Sequence, residues 1–326
     1  MSDPKAPRAV LVHLALLTVS LLFGVNFLGM KLVLEEVPAT TWALVRIGAA
    51  TLVLVPLTPL LVRGRFRMPG RRTLLVLLPA GILGVGGNQL LFALGLERTT
   101  PSHSSILVAC IPVLTLTFAA IAGHERATVA KLASIVLALG GALVLLGVDR
   151  WVLAGGGPSM SGDQLVGDLL TLANVTSYAI FLVWMRTLGR NVDAAVSTSI
   201  CFVWSTLFML AVAGPGLDPA DLAPLAEPAI LGWAVFAILG ATLTTYLLNV
   251  WALRHAQSSQ VALYIYVQPV CATGLSIAAG REVLDGRFVL AAALVFLGLL
   301  ASIAARRRDR PRTPTPPAAL TRPAAS

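Results

Sequence analysis

Residues 108–125 read VACIPVLTLTFAAIAGHE, and residues 265–282 read IYVQPVCATGLSIAAGRE. The two stretches match without a gap after a shift of 157 residues, which places Pro112 on Pro269. Each proline lies inside an apolar run long enough to cross a membrane, and a Gly-x-Glu motif closes each run. The sequence therefore predicts a membrane protein that is built from two related halves.

The composition of the whole chain supports a membrane location. Of its 326 residues, 57% are hydrophobic and only 12% are charged, and the mean hydropathy is +0.84. Soluble domains carry roughly 25% charged residues, so a soluble globular protein is excluded. The net charge of +9 lies mostly in short loops and one tail, which indicates a role in membrane topology and not in nucleic-acid binding.

Ten apolar segments follow one another along the chain, and helices are expected because lipid satisfies no backbone polar groups. The predicted segments are 10–33, 40–62, 73–95, 101–122, 128–148, 166–187, 194–213, 229–251, 258–279 and 286–305. If the N-terminus lies in the cytoplasm, 18 of the 24 Lys and Arg residues lie on the cytoplasmic side and five outside. This bias predicts cytoplasmic N- and C-termini in the cytoplasmic membrane.

Five spans in each half require the second half to enter the membrane from the opposite side. We therefore predict an all-α membrane protein of ten transmembrane helices, arranged as two inverted five-helix repeats. The expected units are repeat 1 (10–148), a linker (149–165), repeat 2 (166–305) and a basic, proline-rich cytoplasmic tail (306–326). The tail is expected to be disordered and to lie against anionic lipid.

Polar side chains recur at helical spacing within the apolar segments, as in Gln260, Tyr264 and Gln268. In a membrane bundle such side chains face protein or water, so they predict a central cavity. The alternative is ordinary hydrogen bonding between helices. The predicted substrate pathway comprises Asn26, Arg46, Asn88, Gln89, His103, Asn174, Tyr178, Tyr246, Asn249, Gln260, Tyr264 and Gln268.

Two of these residues carry specific chemical hypotheses. Arg46 is a charged residue well inside the second predicted segment. One interpretation is a binding site for a substrate carboxylate or phosphate, and the alternative is a side chain that extends to the outer lipid headgroups. Trp42, one turn away, offers a ring face to this cation. His103 is a candidate for proton coupling or, alternatively, a capping residue, because no Asp or Glu lies in the middle of a predicted span.

Pro112 and Pro269 are predicted to kink the fourth and ninth helices. A proline inside a helix frees the carbonyl four residues earlier, here that of Val108 and that of Ile265. Matched positions in both halves favour a working bend, and a static packing kink is the alternative.

Motifs for catalysis and cofactor binding are absent from the sequence. It contains no P-loop, HExxH or GxSxG motif, and the three cysteines lack metal-ligand spacing. No catalytic residue, metal or cofactor is therefore expected, and Cys110, Cys201 and Cys271 are interpreted as packing residues. The alternatives left open are a membrane-embedded enzyme acting on lipid-type substrates and a non-transporting scaffold.

The ten segments, the residues Phe23-Gly24-Val25-Asn26-Phe27, the Ala-Leu pairs at Ala93 and Ala252, and the repeated proline with Gly-x-Glu resemble the EamA-type drug/metabolite transporter superfamily. The resemblance implies a cavity lined chiefly by helices 1, 3, 4, 6, 8 and 9, and export of amino acids, related metabolites or toxic compounds. We accordingly expect a secondary transporter that works by alternating access. Its expected partners are a small-molecule substrate and the lipid bilayer, nucleic acid is not expected, and a homodimer stays an open alternative.

Overall fold

Regular structure in the described part of the chain is helical, with no β-strand there. The computed structural model describes residues 9–62, 69–123, 128–145, 161–188, 193–245, 248, 264–265 and 267–308. Most of the predicted linker and the tail after Arg308 lie outside these residues.

Twelve α-helices are labelled below in chain order, with two π-helical and two 3₁₀ segments between some of them. The α-helices are α1 (Ala9–Glu36), α2 (Ala39–Leu61), α3 (Arg71–Gly81), α4 (Asn88–Arg98), α5 (Pro101–Val108), α6 (Ile111–Ile121), α7 (Val129–Leu145), α8 (Gly162–Leu188), α9 (Ala194–Ala213), α10 (Pro228–Val235), α11 (Val267–Ala278) and α12 (Gly286–Arg308). The π-helical segments are Ile82–Gly87 and Phe236–Thr244, and the 3₁₀ segments are Gly214–Gly216 and Pro219–Ala226.

These elements occupy the ten predicted segments. Six helices among the described residues are long and apolar enough to cross a membrane, and there are seven if the pair Pro219–Ala226 and Pro228–Thr244, bent by 97°, is counted as one span. Three shorter apolar helices, Leu132–Leu145, Val267–Ala278 and Gly286–Gly298, account for the fifth, ninth and tenth segments. The predicted fold class, ten spans in two five-helix repeats, is confirmed.

The packing of helices shows the symmetry of the two repeats. The second helices of the repeats, α2 and α9, pack against each other, and so do the fifth, α7 and α12. Two further sets of contacts match each other: α8 packs on the third span through α4 and on the fourth through α5 and α6. Correspondingly, α1 packs on the eighth span and, through α11, on the ninth. Exchanging the repeats therefore maps these contacts onto one another.

Glycines at equivalent positions permit the close contact between α7 and α12. A Cβ atom on Gly141 would lie 2.7 Å from the Ala291 carbonyl oxygen, and one on Gly298 would lie 2.7 Å from the Ser134 carbonyl oxygen. The shift of 157 residues relates Gly141 to Gly298 and Ser134 to Ala291, so the two contacts are the same contact seen from either repeat. Small residues at such positions let membrane helices approach backbone to backbone.

The Gly-x-Glu motifs end helices in the same way in both repeats. Gly123 follows α6 with φ of 73°, and Gly280 follows α11 with φ of 67°. A left-handed residue directly after a helix is usually glycine, because a Cβ atom is strained there. The fourth and ninth spans therefore end where they were predicted to end, at a glycine that adopts a left-handed backbone conformation.

The sequence analysis missed the two π-helical segments. With the shift of 157 residues, Ile82–Gly87 falls on 239–244, inside the second π-helical segment Phe236–Thr244. In the second segment, the side-chain hydroxyls of Thr242 and Thr244 each donate a hydrogen bond of 2.8 Å to the carbonyl five residues earlier. Single π-turns within helices occur frequently at functional sites, and both segments lead directly into predicted cavity residues.

Candidate functional site: a cavity between the two repeats

One cavity lies between the repeats and has a volume of about 510 Å³. Both repeats contribute to its walls, through α1, α2, α4, the α5–α6 break, α8 and the chain around Tyr264. Its polar lining residues are Ser20, Asn26, Arg46, Asn88, Gln89, Asn174, Tyr178, Tyr264 and Gln268. Its apolar lining residues are Leu16, Val19, Phe23, Phe27, Phe92, Val108, Ile111, Leu182 and Ile265.

Eight of the twelve residues predicted for the substrate pathway line this one cavity. His103 lies elsewhere, in a separate contact between helices. Tyr246, Asn249 and Gln260 lie outside the described residues. The sequence analysis did not include Ser20 or the phenylalanines Phe27 and Phe92, because apolar residues are too common in spans to stand out.

Arg46 is buried, with 3% of the residue exposed, and its guanidinium group lies at the cavity wall. Nε donates to the Thr242 hydroxyl at 3.2 Å, and one Nη donates to the Met30 sulfur at 3.3 Å and to Gln89 Oε1 at 3.5 Å. No carboxylate among the described residues forms a salt bridge with Arg46. The side chain therefore does not extend to the headgroups, and it presents an uncompensated positive charge to the cavity.

Trp42 plays a different part from the one predicted. Its indole N–H donates to the Met30 sulfur at 2.8 Å, and the residue is fully buried. The Met30 sulfur thus accepts from both Trp42 and Arg46. This shared acceptor holds Arg46 through a neutral atom, which leaves its charge without a compensating anion.

Asn88 and Asn174 join the two repeats at the cavity wall. The Asn88 side-chain amide donates to the Asn174 carbonyl at 3.0 Å, and the Asn174 side-chain amide donates to the Asn88 carbonyl at 2.7 Å. Asn88 directly follows the π-helical segment Ile82–Gly87. Each amide nitrogen uses one N–H in this contact, and the side-chain oxygens take no part in it.

Asn26 has an unused acceptor. The residue is 3% exposed, and its Oδ1 atom has no hydrogen-bond partner. A buried polar atom without a partner costs about 1–3 kcal/mol. Asn26 lies in the cavity wall and carries an acceptor that the protein leaves unpaired.

A residue of the cavity wall makes a polar contact with the first part of α1. Tyr264 lines the cavity, and its hydroxyl lies 2.8 Å from His13 Nδ1. His13 belongs to repeat 1 and Tyr264 to repeat 2, so this hydrogen bond also joins the two halves.

Both prolines that were predicted to kink helices lie beside cavity residues. Helix α5 ends at Val108 and α6 begins at Ile111, with Pro112 in the first turn of α6. In repeat 2, Pro269 lies in the first turn of α11, and Gln268 N donates to the Ile265 carbonyl at 3.1 Å. The Ile265 carbonyl is thus paired with a residue three positions on, and the expectation that it is left free was wrong.

His103 belongs to a buried cluster with Asp168. His103 was singled out from the sequence, but Asp168 was not. Its Nδ1 atom lies 2.9 Å from Asp168 Oδ2, and the Thr99 hydroxyl donates to Asp168 Oδ1. Asp168 is 0% exposed. It was overlooked because it stands near the start of the predicted sixth segment, where a charge is usually solvated; α8 begins at Gly162 and carries it inside.

Metal ligation finds no support in the part of the chain described here. No group of three or more His, Cys, Asp or Glu side chains lies close enough there to hold a metal ion. Cys110 and Cys201 are buried, and their thiols face the carbonyls of Ile106 and Leu77 at 3.9 Å.

Several known proteins resemble this chain along most of its length. An uncharacterized transporter of Archaeoglobus fulgidus is 25% identical over 269 residues, which cover 79% of this chain and 85% of that protein. The uncharacterized transporter YyaM of Bacillus subtilis is 24% identical, covering 89% of this chain and 92% of that protein. Protein WALLS ARE THIN 1 of Arabidopsis thaliana is 24% identical, covering 70% and 66%.

A solved crystal structure shares the fold. It superposes with a TM-score of 0.58 at 21% sequence identity and covers 93% of this chain and 100% of its own. Together with the relatives, the inverted repeats and the cavity between them define a membrane transporter. The model of the EamA-like transporter family matches residues 10–147 and again residues 165–304, and the chain belongs to this family.

Proposed function

We propose that this protein is a secondary transporter that exports or exchanges small organic metabolites, amino acids or related compounds, across the cytoplasmic membrane by alternating access. The observation that carries the proposal is the cavity of about 510 Å³ whose walls come from both repeats. A cavity of this size accommodates a small metabolite. Its position between the halves is the one expected where two repeats move against each other around a fixed site.

The chemistry of the cavity supports a carboxylate as part of the substrate. Arg46 offers a buried positive charge that no described carboxylate neutralises. A guanidinium group binds a carboxylate through two parallel hydrogen bonds, and such charge-assisted bonds are stronger than neutral ones. A substrate carboxylate at Arg46 would therefore balance the charge that the protein leaves open.

The remaining walls suit the rest of an amino acid. The unpaired Oδ1 of Asn26 is an acceptor for a substrate ammonium or amide group. Phe27 and Phe92, whose ring centroids lie 5.6 Å apart in an edge-to-face arrangement, form an apolar wall against which a side chain can pack. The roles of Asn88, Gln89, Asn174, Tyr178 and Gln268 in the proposal are to supply hydrogen bonds to polar parts of the substrate.

The proposed location and orientation follow from the distribution of charge. The excess of Lys and Arg on one side supports cytoplasmic N- and C-termini in the cytoplasmic membrane. A reporter enzyme that is active only outside the cytoplasm should therefore be inactive when fused after Ser326.

Counterflow in proteoliposomes tests the transport proposal. The purified chain is reconstituted with unlabelled L-leucine, L-phenylalanine or L-glutamate inside, and entry of the same labelled compound is followed. Phenethylamine, which resembles phenylalanine without its carboxylate, is the matched probe for Arg46. Saturable counterflow of at least one amino acid and little of the amine is expected. Counterflow of none of the amino acids would contradict the proposed substrate class.

A further inference from the structure

The strongest feature outside the cavity is a buried acid and base at the contact between α5 and α8. Asp168 on α8 is 0% exposed, and the side chain of His103 on α5 is 17% exposed. His103 Nδ1 lies 2.9 Å from Asp168 Oδ2, and the Thr99 hydroxyl donates to the other carboxylate oxygen. Among the described residues, His103 is the basic side chain in contact with this carboxylate.

The charge of this pair depends on a single proton. An isolated ionised carboxylate is costly to bury, and an adjacent cation offsets that cost. His103 Nδ1 faces Asp168, so the proton that makes the ring a cation is added at Nε2. With that proton, the pair is an imidazolium and a carboxylate with no net charge. Without it, a negative charge stays buried between two membrane helices.

The surrounding charged groups are engaged elsewhere. On α1, Lys31 Nζ donates to the carbonyls of Leu96, Glu97 and Thr99 at 2.8–3.0 Å. The other charged groups near this end of the bundle also have partners. Glu35 forms an ion pair with Arg281, and Glu97 and Asp163 form ion pairs with Arg98. Glu282 accepts from the Ser102 N–H, Asp285 accepts from the Phe288 N–H, and Arg287 donates to the Val144 carbonyl. The Phe288 ring of α12 lies 6.2 Å from the His103 ring. These contacts leave His103 as the proton acceptor next to Asp168.

The pair spans the two repeats close to the cavity. His103 precedes the cavity residue Val108 by five positions on α5, and Asp168 precedes the cavity residue Asn174 by six positions on α8. Each separation is about 1.5 turns of helix. The pair therefore lies just beyond the cavity, and parting of α5 from α8 at this end separates His103 from Asp168.

We infer that the His103–Asp168 pair is a proton-binding site whose occupancy is linked to closure of the cavity between α5 and α8. When α5 and α8 close, His103 Nε2 takes a proton from water. When they part, both side chains are hydrated, the carboxylate no longer needs the cation, and the proton returns to water. The link to transport rests on the proposed function. In that function, proton binding by this pair is the step at which a proton gradient acts on the transport cycle.

The pH dependence follows from linkage. The closed state holds more protons than the open state, so closure is favoured at low pH and opening at high pH. Where the closed state holds one proton more, the opening equilibrium rises about tenfold per pH unit.

A thiol at residue 102 reports the opening directly, without any substrate. Ser102 is 1% exposed, and its hydroxyl has no hydrogen-bond partner, so Ser102→Cys is a conservative change. The full chain, with its three cysteines replaced by alanine, is labelled with N-ethylmaleimide in detergent between about pH 6 and about pH 8.5. Ser161→Cys, at an exposed residue before α8, corrects for ionisation of the thiol itself.

The parent protein and two variants give distinct expected results. After correction, labelling of Ser102→Cys should accelerate with pH, by about tenfold per unit at the steepest point. With His103→Gln added, labelling should be fast at every pH, because Asp168 has lost its cation. With both His103→Gln and Asp168→Asn, which pairs two neutral amides, labelling should be slow at every pH. The inference is overturned if the double variant keeps the pH dependence of the parent, or if the parent shows none.

Transport provides a second and separable test. In proteoliposomes, the ratio of leucine, phenylalanine or glutamate counterflow with and without an imposed pH gradient should differ from one in the parent. In the double variant it should be one, and a double variant that responds like the parent would contradict the inference. If the parent carries none of these probes, the proposed substrate class fails, and the labelling experiment still decides whether His103 and Asp168 bind the proton.

Discussion

At the scale of single residues, the described lining of the cavity combines one charged side chain, Arg46, with neutral hydrogen-bonding groups. Arg46 is held by a hydroxyl, a thioether and an amide, all neutral. Burial of such a cation without an anion costs about 2.5–3.5 kcal/mol on insertion scales. Under the proposed function, a substrate carboxylate bound at Arg46 offsets this cost.

Replacement of Arg46 by glutamine should reduce binding of carboxylate-containing substrates. Hydrogen bonds to charged groups contribute about 1.5–3 kcal/mol, so the KM for the transported amino acid should rise about 10- to 100-fold. The measurement is the concentration dependence of counterflow in proteoliposomes. Arg72→Gln, which removes an equal charge from the exposed start of α3, is the control and should leave the KM unchanged. An unchanged KM in the Arg46 variant would exclude Arg46 as the carboxylate site.

Replacement of Asn26 should raise the stability of the empty protein and lower the stability that substrate binding adds. Asn26→Leu removes a buried acceptor that has no partner, so the empty protein should become more stable by about 1 kcal/mol. The same change removes a partner for the substrate, so the added stability on substrate binding should fall. Thermal unfolding with and without the transported amino acid measures both effects. Loss of stability in the empty protein would show that Asn26 is paired there.

At the scale of elements, irregular helices accompany the regular helices α1, α2 and α8 near the cavity. The third and eighth spans contain matched π-helical segments, the fourth is interrupted between Val108 and Ile111, and the ninth has Pro269 in the first turn of α11. In contrast, α7 and α12 pack closely through Gly141 and Gly298. The irregular spans indicate where the bundle bends.

Replacement of Pro112 by alanine should slow transport without unfolding the protein. Alanine restores a backbone N–H that can donate to the Val108 carbonyl, and one added hydrogen bond stabilises the straight helix by about 1 kcal/mol. Exchange should therefore slow by about fivefold, while thermal stability stays equal or rises. The measurement is the exchange rate per folded molecule. Pro59→Ala, at an exposed position inside α2, is the control, and an equal effect there would remove any special role of Pro112.

At the scale of the whole molecule, the contact between α7 and α12 joins the repeats away from the cavity. Both helices are the fifth of their repeat, and their matched glycines bring backbone against backbone. This contact is the same from either side, since exchanging the repeats maps it onto itself. We therefore expect it to stay intact while the remaining helices move.

Alanine at Gly141 should destabilise the fold, whereas alanine at its neighbour Gly140 should not. A Cβ atom on Gly141 would lie 2.7 Å from the Ala291 carbonyl oxygen, but one on Gly140 has nothing within 4 Å. Overpacking costs about 1–3 kcal/mol, while alanine in an open helical position gains up to about 1 kcal/mol. The melting temperature in detergent should fall for Gly141→Ala and Gly298→Ala and should hold or rise for Gly140→Ala. Equal behaviour of all three variants would contradict the close contact.

The sequence by itself determined that the chain crosses a membrane as two five-helix repeats. Lipid offers no hydrogen-bond partner for backbone groups, so each long apolar run has to form a helix. The internal repeat can be recognised by comparing the sequence with itself. Even the glycines after α6 and α11 could be predicted as helix ends, because their conformation depends on local sterics.

Only the tertiary structure decided which polar side chains meet. Arg46 and Thr242, Asn88 and Asn174, and His103 and Asp168 are in contact across the repeats, although 65 to 196 positions separate them along the chain. Periodicity indicates that a side chain faces the interior, but its partner depends on how distant helices pack. For the same reason Asp168, which a linear view places at a solvated helix end, is buried against His103, because α8 continues beyond the predicted segment and packs on α4 and α5.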